Sequence, residues 1–196
     1  MRILGPVSLF VFKDRMTRRG LFAPALGMLA AACSPLGLLN TFGPRDGGAR
    51  RAARDIAYGV DPRQTFDMFV PTAVPERPWP VLVLFYGGGW DSGDKTYYAW
   101  AAQALAARGF VVALPDYRLV PQVHFPAFIE DAALATAKVG EIAGQYGGDP
   151  ARLGVIGQSA GAHLALMITL DRRYMAAAGA PGLIRAAVGL AGPYDF

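Results

Sequence analysis

The chain has 196 residues, 53% hydrophobic and 17% charged, which fits one domain with a real core and excludes a disordered chain. One cysteine makes no internal disulfide, and with only two histidines it builds no metal cluster, so no metal or organic cofactor is expected. The net charge of +4 sits wholly in residues 1–32, where Arg2, Lys13, Arg15, Arg18 and Arg19 outweigh Asp14; the remainder holds fourteen charges of each sign, which excludes a nucleic-acid footprint.

The leader reads as an export signal. Thr17-Arg18-Arg19-Gly20-Leu21-Phe22 is a twin-arginine-like start, and Leu21 to Ala32 is an apolar run. That run is too short for a membrane-spanning helix, which takes about 20 residues. Ala30-Ala31-Ala32 then leads into Cys33 and resembles a bacterial lipoprotein box, although the usual leucine stands one place off, at Leu29. Residues 1–33 are therefore expected to be a signal peptide, with a lipid on Cys33 attaching an exported, periplasmic or membrane-anchored protein. A plain exported protein and a cytoplasmic chain stay open as alternatives, as does a start at Met16. Residues 34–53, rich in Gly, Pro and Arg, read as a flexible tether.

The fold is expected from about residue 54 to residue 196. Asp55–Tyr58 and Thr65–Val70 alternate and predict an antiparallel hairpin around Gly59–Arg63. Pro71 to Pro80 is a connector. Val81–Phe85 is an unbroken apolar run, as a buried parallel strand requires. A helix follows over Lys95–Arg108, stopped by Gly109. Then come a strand over Phe110–Leu114, a long helix over Ala127–Tyr146, a strand over Leu153–Ile156, a helix over Ala160–Leu170 and a strand over Ala186–Leu190. Alternating strand and helix predicts the α/β class, a mostly parallel sheet with helices on both faces.

Two motifs carry chemistry. Gly157-Gln158-Ser159-Ala160-Gly161 stands between a predicted strand and a predicted helix, the context of a nucleophile elbow. Ser159 must sit on a sharp, strained turn, and side chains at positions 157 and 161 would collide with neighbouring backbone. With four serines and 24 glycines in the chain, chance gives only about 0.06 such matches, before strand and helix are required. The second motif is Tyr86-Gly87-Gly88-Gly89-Trp90, directly after an apolar strand. Successive glycines let backbone amides approach a ligand, and acyl transfer needs such donors aimed at a tetrahedral oxyanion. The candidate donors are the amides of Gly87, Gly88, Gly89 and Ala160, with Ser159 as the nucleophile.

Together with Ser92-Gly93-Asp94-Lys95, Pro115-Asp116-Tyr117-Arg118-Leu119, Phe125-Pro126-Ala127, Gly147-Gly148-Asp149-Pro150 and Gly189-Leu190-Ala191-Gly192-Pro193-Tyr194-Asp195, these motifs resemble the α/β-hydrolase esterases of the hormone-sensitive-lipase and bacterial carboxylesterase type. That family carries His-Gly-Gly-Gly-Trp and Gly-His/Gln-Ser-Ala-Gly, and the likeness runs from Ile56 to Phe196. The resemblance implies an α/β-hydrolase fold and a serine carboxylic-ester hydrolase, acting on small or medium acyl esters through an acyl-serine intermediate. Its partner is a small-molecule ester. An amidase or formamidase of the same fold, or an inactive truncated lipoprotein, stay open as alternatives. Tyr86 departs from the family's usual histidine.

The resemblance also implies a catalytic acid and histidine one or two strands after residue 196, so the domain is expected to lack its last strands. Within the chain, His163 lies one turn after Ser159 in the same helix and is expected to pack there rather than to act as a base. His124 is expected in an exposed or lining loop. Asp195 is the best acid after the serine. Asp116, Glu130 and Asp131 are expected to serve turns and a helix N-terminus.

Overall fold

The computed structural model describes residues 47–194. The expected signal peptide, Cys33, the first part of the tether and Asp195 lie outside the described residues.

Six strands form one sheet in the order β1-β2-β4-β3-β5-β6. They are β1 (Ala49–Ala57), β2 (Thr65–Pro71), β3 (Trp79–Phe85), β4 (Val111–Pro115), β5 (Gly148–Gln158) and β6 (Ile184–Leu190). β1–β2 and β2–β4 pair antiparallel, while β3–β4, β3–β5 and β5–β6 pair parallel. The helices are α1 (Ala99–Ala106), α2 (Ala127–Ile142), α3 (Ala160–Leu170) and α4 (Arg172–Ala177).

Helices cover both faces because the central strands are apolar on both. Successive residues of a strand point to opposite faces. Val81, Val83 and Phe85 of β3 join Val111 and Ala113 of β4 under Phe128 and Ile129 of α2 and Leu164 and Ile168 of α3. The intervening Leu84, Val112 and Leu114 meet Ala99, Ala102 and Ala106 of α1 on the other face. The small alanines let α1 lie close to the sheet.

Three expectations need correction. β1 begins at Ala49, so the last residues read as tether belong to a strand paired with β2 from Ala49↔Pro71 onward. The predicted 95–108 helix is a 3₁₀ turn over Lys95–Tyr98, capped by the Asp94 side chain, followed by α1. A short helix not read from the sequence, α4, begins where Asp171 caps the Arg173 amide. By contrast, α3 spans the expected residues, Ala160–Leu170.

Candidate active site

β5 ends at Gln158, α3 begins at Ala160, and Ser159 alone makes the turn between them. Its backbone sits at φ 53°, ψ −120°. Such a conformation costs a non-glycine residue roughly 1–3 kcal/mol and persists only where the surroundings over-determine it. Three contacts do so here. A Cβ on Gly157 would lie 2.0 Å from the Gly161 carbonyl oxygen, so the turn closes only without one. A Cβ on Gly161 would lie 2.2 Å from the Phe85 carbonyl oxygen, so the start of α3 rests on the end of β3. The Ser159 amide donates to the Leu190 carbonyl at 2.8 Å, tying the turn to the tip of β6.

The glycine loop runs beside this turn. A Cβ on Gly87 would stand 3.0 Å from Ser159 Cβ and 2.4 Å from Gln158 Oε1. The structure thus brings Gly87 and Ser159 into contact across 72 positions of sequence. Gly88, Gly89 and Trp90 follow at φ 140°, 60° and 64°. The Gly88 carbonyl accepts from the amides of Asp91 and Ser92 and from Ser92 Oγ at 2.8 Å. Across a trans peptide the next N–H points the opposite way, so the Gly89 amide faces away from Ser92. At the turn, the Ala162 and His163 amides return to the Ser159 carbonyl, while Ala160, as the first residue of α3, has an amide that helix geometry leaves without an intrahelical acceptor.

A buried polar network braces the loop from behind. The Tyr86 hydroxyl donates to Asp116 Oδ1 at 2.8 Å and accepts from Arg63 Nη2 at 2.7 Å. Arg63 also donates to the carbonyls of Tyr117 and Gly93, and the Lys95 amide donates to Asp116 Oδ1. Residues at both ends of the 86–95 loop are therefore fixed to the end of β4. Lys95 Nζ continues the network to Asp55 at 2.6 Å, Thr65 Oγ1 at 2.7 Å and Asp116 Oδ2 at 3.4 Å. Burial would lower the Lys95 pKa, but the Asp55 hydrogen bond and the charges of Asp116 and Asp67 leave it raised. Asp55 reaches Lys95 from the irregular part of β1, at φ 52°, where a bulge re-aims the side chain. Burial raises the Tyr86 hydroxyl well above its usual range and raises Asp116 as well.

Asp116 therefore serves this network rather than a turn. Asp131 does not cap a helix either. Its fully buried carboxylate takes a two-point contact from Arg118, at 2.9 and 2.7 Å, plus Gln64 Nε2 at 2.8 Å. Sequence reasoning missed Arg63, Lys95 and Gln158 as parts of the site: Arg63 stands outside every motif, and Lys95 and Gln158 stand inside motifs without a role of their own being read. Gln158 Oε1 accepts from the Tyr98 hydroxyl at 2.8 Å, which orders the residue before the serine.

His163 meets Ser159 through its backbone amide, at 3.2 Å from the Ser159 carbonyl. His163 is packed edge-on against Trp90, with ring centroids 5.2 Å apart, and burial lowers its pKa. His124 is exposed in the loop before α2. Among the described residues, no cluster of His, Cys, Asp or Glu is placed to hold a metal ion, and no helix is long and apolar enough to cross a membrane.

Comparison with known proteins decides the family. The BD-FAE family model matches residues 66–196. The chain belongs to the BD-FAE family. This BD-FAE chain is 36% identical over 153 residues to a probable isoprenylcysteine alpha-carbonyl methylesterase of Oryza sativa subsp. japonica, covering 76% of this chain and 37% of that one. It is 35% identical over 149 residues to esterase LipC of Mycobacterium tuberculosis, covering 73% and 37%. Among solved structures it is similar to a phosphonate-inhibited esterase B from Lactobacillus rhamnosis, with a TM-score of 0.71 at 21% identity, covering 89% of this chain and 59% of that one. The fold is that of the α/β-hydrolases. The chain spans little more than a third of the length of these two curated relatives.

Proposed function

We propose that this chain carries the nucleophile and the anion-binding half of a serine carboxylic-ester hydrolase. Ser159 Oγ attacks the carbonyl carbon of a small or medium acyl ester. The amides of Gly87, Gly88, Gly89 and Ala160 receive the oxyanion of the tetrahedral intermediate. The alcohol leaves and the acyl group stays on Ser159 until water removes it. The observation that carries this reading is Ser159, held at φ 53° on a strand-to-helix turn with Gly87 against its Cβ. In a nucleophile elbow this strain stands the Oγ clear at the carboxyl end of a strand, where ligands bind in such sheets. Names of the relatives support the reaction class: the rice protein is called a methylesterase and the mycobacterial one an esterase.

A serine hydroxyl needs a base to become a good nucleophile near neutral pH. The His163 ring packs edge-on against Trp90 and His124 is exposed, so turnover by these 196 residues is expected to be residual. Oxyanion stabilisation and binding alone leave about 10³–10⁴-fold over water. Hydrolysis of p-nitrophenyl butyrate, with imidazole supplied as an external base, tests the reading. A rate above the Ser159→Ala background that grows with imidazole supports it; identical rates for both proteins at every imidazole concentration refute it.

The leader supports export, with a lipid on Cys33 as the membrane attachment. The twin arginines, the short apolar run and the single cysteine are its basis. Mass spectrometry of the cellular protein tests this, and an unmodified Cys33 in a retained leader would refute it.

A further inference from the structure

At the amino-terminal end of β6, a cavity of about 560 Å³ opens between α3, α4 and the chain leading into the strand. Arg172 and Arg185 line it, together with Ile168, Met175, Pro181 and Ile184. We propose that this cavity binds an organic anion, a phosphate or carboxylate group carried on a small apolar body. The proposal does not depend on the role of Ser159.

The cavity stands apart from the serine turn. Ile184 opens β6 opposite Leu153, and Leu190 closes it, where its carbonyl takes the Ser159 amide. Six steps along a strand span about 20 Å. Cavity and serine therefore lie at opposite ends of β6.

Two separate elements bring the arginines to one hollow. They are 13 positions apart in sequence, one opening α4 and the other near the start of β6. Like charges around one hollow repel unless an anion lies between them. Among the described residues, none of the lining side chains is a carboxylate, and neither arginine enters an ion pair. The neighbouring carboxylate is already committed: Asp171 takes a two-point contact from Arg173, at 2.7 and 3.0 Å. Thr169, also in the lining, spends its hydroxyl proton on the Ala165 carbonyl at 2.7 Å. The side-chain donors left for a ligand are the two guanidinium forks. Their planar pairs of N–H groups match the oxygens of a phosphate or carboxylate.

The apolar lining sets the rest of the ligand. Ile168 and Met175 belong to the core, which fixes the floor of the hollow. Pro181 is exposed and Ile184 half-buried, so both leave apolar surface that a ring or short alkyl group would cover. An inorganic ion would leave that surface wet. The volume lies within the range of small-molecule sites, about 300–1,000 Å³.

The test titrates the full chain with phenyl phosphate and with benzoate, read by ligand-observed proton NMR. Phenol and inorganic phosphate, the latter read as a competitor, supply the apolar and ionic halves alone. At least one of the organic anions is expected to bind about tenfold or more tightly than either half, and the tighter one names the head group. Arg172→Gln and Arg185→Gln remove the charge at exposed positions, where the fold does not need it. Each should weaken binding by about tenfold, the low end for hydrogen bonds to charged groups, and both together should abolish it. Lys138→Gln removes the same charge from an exposed pair with Glu141 on α2 and should keep the parent's affinity. Phenol binding as tightly as both anions, or a double variant binding them as the parent does, would overturn the proposal.

Discussion

Gly157 and Gly161 meet across the Ser159 turn so closely that a methyl group on Gly157 would lie 2.0 Å from the Gly161 carbonyl oxygen. Backbone cannot yield there as the end of a flexible side chain would. Gly157→Ala is expected to cost about 3 kcal/mol or more, at or above the usual range for overpacking. Gly144 is a fair control, because a Cβ there meets nothing within 4 Å and its φ is not positive. Gly144→Ala should be neutral or stabilise by about 0.4–1 kcal/mol, through lost freedom of the unfolded chain. Urea midpoints at unchanged slope give both numbers.

Tyr86 stands where the resembling family usually has histidine, and its hydroxyl joins Arg63 to Asp116. Tyr86→Phe keeps the ring stacked on Tyr117, 4.8 Å away between centroids, and removes only that link. The buried Asp116 and the half-buried Arg63 then each lose a partner. The expected loss is about 1–3 kcal/mol in urea unfolding. Slower ester turnover is also expected, because Arg63 and Asp116 fix the ends of the glycine loop.

Lys95 is the cation between three carboxylates. The side chains of Asp67 and Asp116 are only 4% and 9% exposed, so neither can be rehydrated cheaply once Lys95 is gone. Lys95→Met is expected to destabilise by about 3–5 kcal/mol, as when one partner of a buried pair is removed. Lys138→Met gives the contrast, since its pair with Glu141 is exposed and contributes less than about 1 kcal/mol.

His163 sets a pH dependence. Burial holds its pKa below the usual 6.5, so the unfolded chain binds more protons there than the folded one. Stability from this group is full above about pH 6.5 and is lost as pH falls through the folded value. Urea midpoints at about pH 7.5 and about pH 5.5 should differ more for the parent chain than for His163→Phe, which keeps an aromatic ring in place. Equal differences would show that His163 does not titrate with unfolding.

The parts legible in the sequence were those with a local cause. The helix after Ser159 and the apolar strand before Gly87 announce themselves by composition and by glycines whose neighbours need the space. The Ala49–Arg54 stretch did not, because three arginines in six residues look like linker. They suit an edge strand, whose outer side faces water and where charge discourages further pairing. Arg63 illustrates the other limit. In sequence it is one residue of a hairpin turn, and its partners Tyr86, Gly93 and Tyr117 lie 23, 30 and 54 positions away. No local pattern encodes that convergence. Asp116 and Asp131 looked like turn and cap residues for the same reason: their cations come from other elements.

The most direct test of the central claim is to look for the acyl group itself. Without a base to speed its hydrolysis, an acyl-serine should persist. The chain is incubated with p-nitrophenyl butyrate, quenched in acid and digested, and the peptide containing Ser159 is read by mass spectrometry. The account predicts a butyryl group on Ser159, absent from that peptide in Ser159→Ala and reduced when Gly88→Ala, a substitution at φ 140°, distorts the loop. Butyryl groups found only on lysines, with Ser159 unmodified in a folded protein, would contradict it.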